Sequence, residues 1–389
     1  MPRKSWTLTD VDADIYVEQL FLGPREVGGA ASGYSVTKRR LHGGLRDGVD
    51  VVEVDNGRLR FTIVPTRGMG IWRASCGDVE IGWKSPVRGP VHPAFVPLSE
   101  PSGSGWLSGF DELLVRCGLE NNGAPEFLPN GALRYPLHGR IANIPAHKVE
   151  VTIDGESGEI AVFGVVEEAR LFGVKLRLTT TIRTRVGQPA VTVDDEITNL
   201  SAEPSRLQLF YHVNLGHPLV GPGAKLLLPV KRMAPCDAIA AADIPHWNIY
   251  APELPGVEEV CHFFEPAADA SGWTRALLRS ADGQRGVSVQ FDNRQLPRMT
   301  LWKNRQAIAD GYVTGIEPGI NFPNRPSFEE EQGRVARLAP GESRHFEVIL
   351  EAHCDAASVA LAEQAVATAQ NGAVPEICAA PDPKWSPSA

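Results

Sequence analysis

Three short segments, far apart in the chain, place proton-moving side chains in stiff, apolar surroundings. The first, Gly315-Ile-Glu317-Pro-Gly-Ile-Asn321-Phe-Pro-Asn324, sets one carboxylate among glycines and prolines. An apolar wall desolvates a carboxylate, raises its pKa and makes it a usable base near neutrality. The second, Tyr135-Pro-Leu-His138-Gly-Arg140, offers a histidine and a planar guanidinium fork. The third, Leu209-Phe-Tyr211-His212-Val-Asn214-Leu-Gly-His217-Pro, offers two histidines and an amide. A histidine of ordinary pKa, about 6.5, can give up a proton at neutral pH. One carboxylate base and two histidines suit proton transfer on a neutral polar substrate.

The same residues have blander uses. Glu317 could be a solvated strand-end glutamate, or pair with Lys303 or Arg325. His212 could be a core histidine bonded to a carbonyl. His138, His212, His217 and Glu317 are also of the types that hold Zn²⁺ or Mn²⁺. No short-range ligand pair such as HxH or HxxxH joins them, which weighs against a metal site, and proton transfer by these side chains calls for no cofactor. The six cysteines, 76, 117, 236, 261, 354 and 378, form no CxxC pair. They read as reduced thiols, neither a disulfide frame nor a zinc site. Nothing beside Cys117 in sequence would lower its pKa and make it a nucleophile.

Strands must position these side chains. Segments 58–64, 148–153, 160–166, 176–183, 190–198, 206–213, 286–291, 299–302 and 345–352 alternate or concentrate apolar and β-branched residues. Turn chemistry such as Asp154-Gly155, Asp282-Gly283 and Ala339-Pro-Gly341 separates many of them. Many short strands with tight turns predict an all-β sandwich. On the 206–213 strand, residues two apart share a face, so His212 and Asn214 can meet one ligand. His217, five residues on, needs a bend to join them. Helix is predicted over 355–371, and a short helical turn over 110–116. The expected organisation is an N-terminal extension packed on the sandwich (1–48, with a loop at 28–33), the sandwich itself (49–354), the helix, and a loosely ordered tail (372–389).

Charge and hydropathy exclude some partners. A formal charge of −9 over 389 residues, without a basic cluster, argues against nucleic acid and anionic membrane surfaces. No apolar run approaches the ~18 residues a spanning helix needs. Met1-Pro-Arg-Lys-Ser-Trp lacks the apolar stretch of a signal peptide, so a cytoplasmic monomer or homodimer is expected.

The order of motifs resembles the aldose 1-epimerase, or galactose mutarotase-like, superfamily. It rests on His138-Gly, then Tyr211-His-Val-Asn-Leu, then Glu317-Pro-Gly-Ile-Asn-Phe-Pro. The chain most resembles an uncharacterised bacterial branch that shares Pro65-Thr-Arg67-Gly-Met-Gly70, Leu114-Val-Arg-Cys117-Gly-Leu-Glu120-Asn and Pro136-Leu-His-Gly-Arg140. The resemblance spans about 50–351 and implies a galactose-mutarotase-like β-supersandwich with a carbohydrate cleft and metal-free interconversion of sugar anomers. It implies Glu317 as base, His212 as acid and His138 as substrate anchor, with Arg140, Asn214, Asn321 and His217 supporting. The chain departs from the best-known mutarotases around Arg67, Lys84 and Glu120. There two cations could meet an anionic substrate, or pair with Glu120 or Asp111 as structural bridges. Trp83, Trp106 and Trp302 are candidate stacking faces for a sugar ring. Two other functions remain open: an isomerase, epimerase or lyase acting on a keto-sugar or sugar acid with the same site, and a non-catalytic carbohydrate-binding protein.

Overall fold

In the computed structural model, which describes residues 3–388, the alternating segments become strands of two large, mostly antiparallel sheets. The Lys148–Asp154 strand shows the pattern plainly: Val149, Val151 and Ile153 are buried, and the residues between them are not. Ten strands form one sheet, with Gly286–Asp292, Ser343–His353, Ala190–Asn199, Lys175–Arg185, Glu159–Ala169 and Lys148–Asp154 as successive neighbours. The other sheet has 14 strands and places Val260–Pro266, Arg298–Asn304, Val313–Gly319, Ser205–Gly216 and Leu114–Leu119 side by side.

Simple alternation fails in the middle of the larger sheet. Val313–Gly319 and Leu114–Leu119 are buried throughout, and Ser205–Gly216 nearly so. Such strands are covered on both faces. One face meets the core between the sheets; the other lies under loops and carries the candidate site.

A buried ion pair spans the two sheets. Arg116 Nε and Nη2 donate to Asp195 Oδ2 and Oδ1 at 2.6 and 2.8 Å. The remaining guanidinium hydrogens reach the carbonyls of Gly68 and Met69 and the Thr180 hydroxyl, and Tyr211 donates its hydroxyl to Asp195 at 2.8 Å.

Three expectations need correction. The described part of the expected N-terminal extension, residues 3–48, is woven into both sheets: Arg3–Asp10 pairs with Lys148–Asp154, and Ser35–Arg40 with Asp50–Asp55. The short helix predicted over 110–116 is instead a 3₁₀ turn, Gly105–Gly109, followed by the Leu114–Leu119 strand. A continuous apolar run fits a strand covered on both faces, and its neighbours decide the outcome over local preference. The tail is anchored. Glu376–Ile377 pairs with Val230–Pro235, and Trp385 packs 5.1 Å from the Phe322 ring while its carbonyl accepts from Asn324 Nδ2 at 2.8 Å.

The predicted helix forms over Ala356–Gln370, capped by the Asp355 carboxylate accepting from the Ser358 amide at 2.7 Å. Val359, Ala362, Val366 and Ala369 make its buried face. Among the described residues no helix is long and apolar enough to cross a membrane.

Breaking the cross-sheet pair strands a charge in the core, so Asp195→Ala should cost about 3–5 kcal/mol in urea unfolding. Replacing both partners with apolar residues, Arg116→Met with Asp195→Leu, should recover a large part of that loss.

Candidate active site

Strand register brings the two central residues together. Val213 pairs with Ile316 and Asn214 with Gly315, which sets His212 directly beside Glu317 on the adjoining strand. His212 Nε2 lies 3.2 Å from Glu317 Oε1, and both side chains are buried. Gly315 makes room for the contact. A Cβ there would stand 2.5 Å from Glu317 Oε1 and 2.8 Å from His212 Cε1.

Burial sets the charges. It pushes the Glu317 carboxyl well above the usual carboxylate range, and the negative charge of Glu259 adds to the effect. It pushes His212 down to about 3, partly opposed by the neighbouring Asn214 carboxamide. His138 is also driven well down, first by burial and then by His212. Burial therefore favours a proton on the Glu317 carboxyl and none on the His212 imidazole. The expectation of a His212 with an ordinary pKa is corrected: loss of hydration disfavours its charged form.

The pair opens on a cleft of about 570 Å³ that His138 also lines. The three residues expected to act together thus do converge. Aromatic rings form the walls: Phe110 stands 4.9 Å from Trp83 and 5.1 Å from His212, and Trp302 stands 5.5 Å from His212 on another side. His138 packs edge-on against Trp106 at 4.7 Å. Its backbone adopts φ 56°, a left-handed conformation that a non-glycine residue rarely takes. Two bonds hold it there: the His138 amide donates to the Gly123 carbonyl at 2.8 Å, and its carbonyl accepts from the Gly118 amide at 3.1 Å.

The other expected residues lie apart. After His138 and Gly139, both left-handed, Arg140 turns into a separate pocket that also receives Glu120, Glu168 and Arg170. Glu120 faces Arg170 there at 3.4 Å. Arg67 is fully buried and bonded to four protein acceptors: Glu112 at 2.6 Å, Asn143 Oδ1, and the carbonyls of Val91 and Gly109. It is a structural bridge and cannot meet a substrate anion. Lys84 and His217 are exposed and do not line the cleft. Asn321 exchanges reciprocal amide bonds with Asn122 at 2.7 and 2.9 Å, tying the turn after Glu317 to the Leu114–Leu119 segment. Asn214 shares the His212 face but sits beneath it, donating to the Glu112 carbonyl at 3.0 Å. Lys303, suggested as a Glu317 partner, points away to Asp243 at 2.6 Å.

Several cleft residues escaped the sequence reading. Cys261, Asn304, Gln306, Asp310 and Glu259 all line it. Alternation along Arg298–Asn304 could have found Asn304, which shares a face with Trp302; Glu259 lies in an irregular stretch with no local signal. Among the described residues, Asp194, His345 and Glu347 gather closely enough to hold an ion. They lie outside the cleft, and Arg183 already bonds to both carboxylates.

Two outcomes check this geometry. Gly315→Ala should push His212 and Glu317 apart and disturb the cleft, seen as altered chemical shifts of the His212 ring with the fold retained. Folded His138 resists a proton that the unfolded chain accepts at about pH 6.5, so its contribution to stability is intact above that pH. It is lost as the pH falls, at up to about 1.4 kcal/mol per pH unit. Urea unfolding of His138→Asn should therefore depend less steeply on pH below 6.5 than that of the wild type.

Comparison with known proteins adds a family and a fold. The family model described as Domain of unknown function (DUF4432) matches residues 46–352. No curated protein matches the sequence. A "putative aldose 1-epimerase" from Klebsiella pneumoniae subsp. pneumoniae superposes with a TM-score of 0.93 at 34% identity, covering 97% of this chain and 98% of that one. A galactose mutarotase-like protein from Clostridium acetobutylicum gives a TM-score of 0.57 at 15% identity over 82% of this chain and 98% of its own. A galactose 1-epimerase from Lactobacillus acidophilus gives 0.53 at 12% identity, with the same coverage of 82% and 98%. At such identities the last two show a common fold, the galactose mutarotase-like sandwich expected from the motifs.

Proposed function

The chain belongs to the DUF4432 family, and from that premise we propose that it interconverts the anomers of a small sugar by acid–base catalysis. The observation that carries this reading is the buried His212–Glu317 contact, 3.2 Å long, at the edge of an aromatic-walled cleft of about 570 Å³. Mutarotation removes a proton from the anomeric hydroxyl, breaks the ring C–O bond and supplies a proton to the ring oxygen. A pair with one proton in two places can take the first and give the second, and it ends the step with the count it began with.

Glu317 is assigned as base toward the anomeric hydroxyl. A hydroxyl donated to its carboxylate favours the charged form and moves the pair's proton to His212, which becomes the donor. His138, neutral at working pH, is assigned to hold a sugar hydroxyl. The aromatic walls supply apolar faces for the ring and limit water. The chemistry assigned to these residues needs no metal ion or organic cofactor. The pair's single proton is also its acid, so activity should fall once the pH rises far enough to remove it, and burial places that loss above the usual carboxylate range.

One property of the site favours a second reading. A desolvated glutamate is also strong enough a base to act on a C–H beside a carbonyl, as in keto-sugar isomerases and lyases. Deuterium separates the two, since carbon-proton chemistry carries solvent deuterium into a C–H bond and mutarotation does not.

Polarimetry on freshly dissolved single anomers tests the proposal. The wild type should speed the approach to equilibrium for at least one common hexose or pentose. Glu317→Gln should lose about 10²–10⁴-fold in rate while still binding that sugar. Activity that survives in Glu317→Gln would remove the carboxylate from its role, and activity abolished by a chelator and restored by Zn²⁺ or Mn²⁺ would remove the metal-free mechanism.

A further inference from the structure

The cleft carries charge of one sign. The exposed carboxylates Glu259 and Asp310 line it, beside the buried Glu317, and no lysine or arginine does so among the described residues. Lys303, on the neighbouring strand, is turned to the other face and bonded to Asp243 and to the carbonyls of His246 and Trp247. The anionic-substrate possibility raised by Arg67 and Lys84 has no counterpart in this lining.

Glu259 is held in place. It stands exposed at the head of the Val260–Pro266 strand, and its Oε2 accepts from Trp302 Nε1 at 2.8 Å. Trp302 is the ring that flanks His212. The carboxylate is thus fixed at the rim of the pair's own wall, and its field reaches Glu317. A charge so placed repels an anion entering the cleft and attracts a cation, and the adjacent indole face adds to the attraction.

Resting on the reading of the cleft as a sugar site, we propose that Glu259, braced by Trp302, is a charge filter that admits uncharged sugars and ammonium-bearing amino sugars and turns away sugar acids. A carboxylate a few ångströms from an incoming one, in the intermediate dielectric of a cleft rim, weakens binding by roughly tenfold. Because Glu259 is exposed, salt reduces the effect. The positive partner of the same scaffold gains by a similar or smaller factor.

Ligand-observed NMR titration with galactose, galactosamine and galacturonate, and with their gluco counterparts, tests this on the intact protein. These scaffolds differ mainly in charge. In the wild type at low salt the uronate should bind roughly tenfold more weakly than the neutral sugar. In Glu259→Gln that ratio should shrink several-fold, as it should in the wild type at high salt. A uronate that binds the wild type as tightly as the neutral sugar, or a ratio that Glu259→Gln leaves unchanged, overturns the filter. Thermal unfolding of the variant controls for its fold. Polarimetry on the same samples separates the two proposals. Discrimination without anomer interconversion removes the catalytic reading and leaves the filter, and interconversion without discrimination does the reverse. Failure of every sugar to bind removes both.

Discussion

The contact between Arg116 and Asp195 sets the position of everything that matters for the site. Leu114–Leu119 lies beside Ser205–Gly216, with Arg116 paired to Tyr211. Arg116 and Tyr211 both reach across the core to Asp195 on the opposing sheet. Tyr211 points inward, so its neighbour His212 points outward into the cleft. Two buried charges are costly, and this pair persists because every guanidinium direction finds an acceptor. The bidentate geometry also fixes orientation. Sheet spacing, strand rotation and the aim of His212 then follow from one set of hydrogen bonds.

On the other face of the same strands the solution is opposite. There the polar groups are few and only partly satisfied. His138 Nδ1, His212 Nδ1 and the Trp106 indole nitrogen are buried without a protein partner. Burial without full pairing is what moves Glu317 and His212 toward neutrality in opposite directions. The core face uses complete pairing to hold charge, and the cleft face, with incomplete pairing, disfavours charge on both groups. Gly315 lies where this matters most, since any side chain would occupy the space in which carboxylate and imidazole meet.

Much of this was legible in the sequence, for physical reasons. The sandwich follows from period-two alternation in strands such as Lys148–Asp154, where one face is wet. The grouping of His138, His212 and Glu317 rested on their stiff, apolar local settings together with the resemblance in motif order, since each residue alone also had a blander use. Arg67 misled because its type suits an anion, while its four acceptors come from positions far away in sequence. Arg140 misled because a two-residue spacing implies a shared face only on a strand, and the chain at His138 is left-handed. The edge of the site, Glu259 above all, comes from loops whose placement depends on tertiary packing and leaves no periodic trace.

The turn that follows Glu317 is finished by a distant piece of chain. Phe322 and Asn324 rest against Trp385, which lies 61 residues beyond Asn324. Translation delivers the carboxylate first and the ring that braces its turn later, by roughly 3–12 s at ~5–20 residues per second. During that interval every residue assigned to proton transfer has been synthesised, yet the turn after Glu317 still lacks its outer support. The nascent protein thus passes through a stage in which the cleft is complete in composition and unfinished in packing, and the segment around Trp385 closes that stage.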